Sequence, residues 1–146
     1  MTQPSSTSSD GLVGRQRLLA VILGGVVLLL MGMATGLRPD ARGYGTHEQL
    51  GLPPCTCTTL VGWRCPACGM TTAWTYLVRG QVAAAAQANL AGTLLGLLGL
   101  AAVPWLWASA WRGCWVGLAP NTAWAAWAAM AFVAITLVDW VFHLHL

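Results

Sequence analysis

The sequence predicts an all-α integral membrane protein, with three transmembrane helices and a short amphipathic helix that is interfacial or re-entrant. Three observations lead there. Only 8% of the 146 residues are charged and 57% are hydrophobic, where a soluble domain carries about 25% charged residues. So few charges cannot cover a surface in water. Three apolar runs are each long enough, at 1.5 Å per residue, to cross a bilayer core of about 30 Å. The nine tryptophans fall into two groups, as interfacial belts do.

Residues 1–16 are polar, rich in Ser and Thr and without an apolar period, and are expected to form a disordered tail. Residues 17–146 then make a single membrane domain, with helices at about 18–37, 66–79, 90–111 and 122–144. The run Leu18–Leu37 carries no charge and follows Arg15 and Arg17. A cleaved signal peptide is its rival reading, but the apolar cores of signal peptides run about 7–15 residues, and this one is longer. Pro, Gly and charge make residues 38–54 a loop.

Asn89 is the expected N-cap of the second run, Leu90–Trp111. Pro104 inside that run removes a donor and predicts a kink near Leu100. Arg112–Asn121 is a turn. The third run, Thr122–Leu146, stays apolar until Asp139, His143 and His145. Gly32 and Gly36, Gly92 and Gly96, and Ala125 and Ala129 are pairs at the spacing that lets helices approach closely. An odd number of spans brings the C-terminus to the face of the 38–89 segment, and so brings Asp139 and His143 toward its cysteines.

Cys65 and Cys68 form a C-x-x-C pair at the expected start of the helix 66–79, with Pro66 at its first position. Cys65, Cys68 and Thr72 would share one face, with Tyr76 and Arg79 further along. A helix N-terminus there favours thiolate. Cys55 and Cys57 lie upstream as a C-x-C pair. Four readings stay open: a zinc site of four thiolates, disulfides that staple the loop, a redox relay between the pairs, and inert thiols. Zinc is the one cofactor these residues suggest. Thr71 and Thr72 are expected to bond back to helix carbonyls. Asp139, an acid near the end of an apolar span, is a functional suspect, and His143, one turn on, would have its ring oriented by it. His47 and Glu48 are expected to be solvated, and Cys114 to be a small interfacial residue.

The runs LGLPPC at 50–55 and CPACGMTTA at 65–73, then Arg79-Gly80 and Asn89, resemble a family of small bacterial membrane proteins of unknown function. The resemblance covers about Tyr44 to Trp107. It makes Cys55, Cys65, Pro66, Cys68, Gly69, Thr71, Ala73, Arg79, Gly80 and Asn89 its signature positions. Leu90 stands where that family usually has proline, and Cys57 is an addition to the pattern. The resemblance implies no activity.

The expected role is non-enzymatic: a structural or accessory protein of the bacterial inner membrane, with its cysteine site at one face. A membrane thiol-disulfide relay and metal-ion binding or transport are the alternatives. The expected partners are the bilayer and a second membrane protein or copy. The seven arginines form no basic run, which argues against nucleic acid. The basic flank of the first helix puts the cysteine loop on the exterior side.

Overall fold

A computed structural model describes residues 11–117 and 120–144, except for the side chains of 143 and 144. Three helices are long and apolar enough to cross a membrane: α1 (Gly14–Gly36), α5 (Leu90–Arg112) and α6 (Thr122–Leu144). Between α1 and α5 come a 3₁₀ turn (Thr46–Leu50) and three short helices: α2 (Thr56–Leu60), α3 (Met70–Leu77) and α4 (Val82–Ala88).

The disordered-tail expectation lies outside the described residues for 1–10 and is corrected for 11–16. Leu12 is buried, and its amide donates to Gly113 O at 2.8 Å. Gln16 then accepts from Val13 N at 3.0 Å, so the helix starts at Gly14 rather than Leu18.

The main packing is α1 against α5. Gly24 lies under the Trp107 indole, where a Cβ would collide, and Gly99 meets Val27. Of the three small-residue pairs, Gly92 and Gly96 mark a real contact. A Cβ on Gly92 would come 3.0 Å from Met70, and one on Gly96 would come 2.8 Å from Leu77. Gly32 and Gly36 face open space, and Ala125 and Ala129 are exposed. Pro104 sits inside α5 without ending it. Among the described helices, α6 packs on α5 alone.

The second correction is the helix expected at 66–79. The chain makes a helical hairpin instead, α3 then α4, laid along the first half of α5. Residues 65–69 form a turn ahead of α3, because Gly69 has φ +90 and cannot continue a helix. Gly80, with φ +73, reverses the chain between the two helices. Seven or eight residues at 1.5 Å each reach about 12 Å, which is too short to span. Both ends of the hairpin meet at Asn89, so it enters and leaves on one side. Ala73, Leu77, Ala85 and Ala88 form its buried core.

Candidate metal centre

Three sulfurs converge at the base of the hairpin. Cys65 Sγ lies 3.3 Å from Cys68 Sγ and 3.6 Å from Cys55 Sγ. All three lie within 4.8 Å of one another, and all three residues are half-buried. Cys57 is exposed and stands outside this trio. The five cysteines are free thiols.

Two different turns supply the trio. Cys65 and Cys68 come from the turn before α3, closed by Cys68 N donating to Cys65 O at 2.9 Å. Asn89 holds that turn from beneath. Its Nδ2 donates to Pro66 O at 3.2 Å and to Cys68 O at 3.1 Å, while its Oδ1 accepts from Gly92 N at the start of α5. One side chain thus caps α5, as expected, and also fixes the two cysteines. Gly69 fits between carbonyls: a Cβ there would fall 2.5 Å from Ala88 O and 2.7 Å from Gly43 O.

Cys55 comes from the other turn. It caps the N-terminus of α2, and its carbonyl accepts from Thr58 Oγ1 at 2.7 Å.

This geometry corrects the expectation of a thiolate at Cys68. Burial pushes the Cys68 thiol up, and the neighbouring Cys65 and Cys55 add to it, to about 12. Burial also acts to raise Cys55. There it is outweighed by hydrogen bonds from Cys68, from the Thr58 and Cys57 amides and from Cys65, so its pKa falls to about 7. The thiol whose pKa is lowered is therefore Cys55, where the first amides of α2 point.

The other candidates fall into two classes. Thr72 is fully buried at the floor of the groove that the cysteines also line, with its Oγ1 2.8 Å from Thr46 Oγ1, and Thr46 also accepts from Asp40 N. It stitches the 38–50 loop to α3 through this bond. Arg79 is likewise structural. Its guanidinium donates to Thr75 O at 2.6 Å and to the carbonyls of Ala34, Thr35 and Leu37, where cationic hydrogen bonds satisfy the C-terminal end of α1.

Thr71 does reach the site, because it lines a groove of about 370 Å³ that opens onto Cys55, Cys65 and Cys68. Asp139 is also close. It accepts from Leu90 N at 3.1 Å, and together with Asn89, Arg64 and Trp140 it lines a cavity of about 10 Å³ behind Cys65 and Cys68. Trp140 Nε1 donates to Arg64 O, which pins the last turns of α6 to the residue before Cys65. The side chain of His143 lies outside the described residues.

Sequence reasoning did not connect His47, which is half-buried and lines the groove, to the cysteines that line it too. It also missed Trp74, another groove residue, whose Nε1 donates to Gly92 O at 2.8 Å. The one available signal for His47 was its place among Asp40, Arg42 and Glu48, an ion-paired set that orders the loop.

No curated protein and no solved structure matches the chain. A family model does match part of it. The cysteine turns, the hairpin and the first part of α5 make up residues 55–103, the segment that matches the family described as a protein of unknown function (DUF2752).

Proposed function

We propose that this small membrane protein holds a soft d10 cation, zinc or copper(I), on the thiolates of Cys55, Cys65 and Cys68 at one face of the bilayer. The observation that carries this reading is the approach of the three sulfurs to within 4.8 Å of one another. Thiolates at about 2.3 Å around a tetrahedral zinc stand roughly 3.8 Å apart, so ligation needs only small shifts. Thiolate donors select zinc and copper(I) over hard cations. Two independent turns converge on one point, which is more than packing of small residues requires.

The test is purification in detergent without reductant or chelator, followed by elemental analysis and a thiol count on one sample. The expected result is one metal ion per chain and all five thiols free after chelation, with Cys65→Ser and Cys68→Ser losing the metal. A protein without metal and with only one or three free thiols would overturn the reading.

A thiol relay is the second reading, favoured by the low-pKa Cys55 beside the Cys65–Cys68 pair. Attack of the Cys55 thiolate on a Cys65–Cys68 disulfide would form a Cys55–Cys65 bond and release Cys68, with no net oxidation. Alkylation in intact cells would then trap a mixed redox population. A single locked state under both oxidant and reductant speaks against it.

We assign the protein to the bacterial inner membrane on the family resemblance. For the side of the cysteine face, two arguments oppose the exterior expectation. Ligation of a metal by thiolates, on the reading proposed above, belongs to a reducing compartment. Arg38, Arg42, Arg64 and Arg79 are on that face, against Arg15, Arg17 and Arg112 at the other, which favours the inside. We therefore take the inner side. A membrane-impermeant maleimide should spare Cys57 in intact cells and label it in lysed ones.

A further inference from the structure

We infer that Cys57 is the receiving ligand of the three-thiol centre, and that the cation reaches it by ligand exchange from a thiol-bearing carrier. The inference rests on the metal reading above and concerns how the ion arrives.

The two halves of the centre differ in freedom. The Cys65–Cys68 turn is tied down by Asn89 and by the fit of Gly69 between two carbonyls. The segment with Cys55 and Cys57 is a single five-residue turn of helix with no buried residue. It runs from Pro53-Pro54 to Gly62, a glycine of φ +75 with open space around it. Cys57 is the exposed sulfur of this less tethered half and lies close enough for Cys55 and Cys65 to act on it electrostatically.

The open side also fits an exchange. A closed structural zinc site surrounds the ion with four protein ligands. Here three thiols are gathered, and among the described residues no His or carboxylate completes the set. The remaining side faces the groove of about 370 Å³, whose Leu52, Met70 and Trp74 give it an apolar wall. A carrier's thiolate has room to stay on the ion while protein ligands replace it.

In the exchange, a carrier sulfur–metal bond breaks as the Cys57 sulfur–metal bond forms. Cys55, Cys65 and Cys68 then displace the remaining carrier ligands, and the Cys57 sulfur–metal bond breaks as the last of the three binds, the Cys57 thiolate taking a proton back. No electrons move. Each protein thiol that ligates loses its proton, and each released carrier thiolate is free to take one up.

The test uses the full chain in lipid nanodiscs, stripped of metal. Copper(I), or zinc if that is the ion found on purification, is supplied as its glutathione complex. Cys57→Ser should still hold one ion per chain at equilibrium, while loading slows severalfold. Cys65→Ser should hold none. Loading of Cys57→Ser at the wild-type rate would overturn the inference. So would a Cys57→Ser protein that holds no ion, since Cys57 would then be a fixed fourth ligand. A wild-type protein that holds no ion fails differently, because it removes the metal centre itself. Cys57 is exposed, and an unchanged thermal melt of Cys57→Ser would confirm that folding is not the cause of any delay.

Discussion

Cys65 and Cys68 ride on a turn that is bonded from several sides. Cys55 and Cys57 ride on a turn whose hydrogen bonds, the thiol contact apart, close within the turn itself. Both turns are short and both lie on one face of the membrane domain. The first has Asn89 beneath it, Gly69 wedged between Ala88 O and Gly43 O, and Trp140 fastened to the preceding carbonyl. The second leaves Leu60, Val61 and Trp63 largely exposed. On the proposed metal reading, one firmly held and one loose half would keep two ligands preset and let the others close on the ion. Preset ligands spare ordering entropy, and loose ones permit exchange.

The sharpest way to break this contrast is Gly69→Ala. The backbone penalty alone is roughly 1–3 kcal/mol, and the carbonyl collisions add to it. We expect a large loss of folded protein in the membrane fraction and of its thermal transition. Gly62→Ala, in the loose half, has the positive φ but no neighbour within 4 Å. It should cost about 1 kcal/mol, at the low end for such strain. Equal melting losses for the two variants would refute the contrast.

Asn89→Asp is next in size. The carboxylate can still cap Gly92 N, but it cannot donate to Pro66 O and Cys68 O. Each lost bond that leaves a buried acceptor unpaired costs about 1–3 kcal/mol. The melt should fall, and metal should leave more readily, while helix content by circular dichroism stays near wild type. Unchanged metal retention would show that the Cys65–Cys68 turn does not depend on this amide.

Trp140→Phe keeps most of the ring and removes one donor to Arg64 O. We expect about 1 kcal/mol of lost stability, read as a lower melting temperature. No shift at all would mean that α6 is not fastened to the cysteine face.

The smallest effect is kinetic and concerns the loose half. In the metal-free protein Cys55, with a pKa lowered to about 7, is about half thiolate at neutral pH. Burial, and then the charges of Cys55 and Cys65, raise the Cys57 thiol. Cys55 should therefore alkylate faster than the more exposed Cys57 at pH 7. Its rate should climb through that pH and level off above it, while that of Cys57 keeps climbing. Mass spectrometry after timed iodoacetamide treatment separates the two. Faster labelling of Cys57 would mean that exposure outweighs ionisation.

The outcome at particular residues explains what could be read in advance. Asn89 was legible as an N-cap because capping is a local pattern. Its two bonds to the cysteine turn were not, because they join positions 66 and 68 to position 89. Pro66 suggested a helix start, yet the positive φ of Gly69 delays it to Met70. Periodicity cannot foresee that delay, since it comes from the carbonyls of Gly43 and Ala88 closing around Gly69. Thr72 looked like a site residue by helical spacing, and a partner 26 positions away took it instead.

By itself, the sequence determined the solvent and the class of fold. Charge scarcity and apolar runs of bilayer length leave little choice there, because both act through composition and local period. Tertiary structure alone decided that three of the four loop cysteines meet while Cys57 stays at the rim, that the pKa of the Cys55 thiol is lowered while that of Cys68 is raised, and that His47 joins the groove. Each of these depends on atoms brought together from distant positions, where burial, amide direction and sulfur contact are set by packing and by no single stretch of chain.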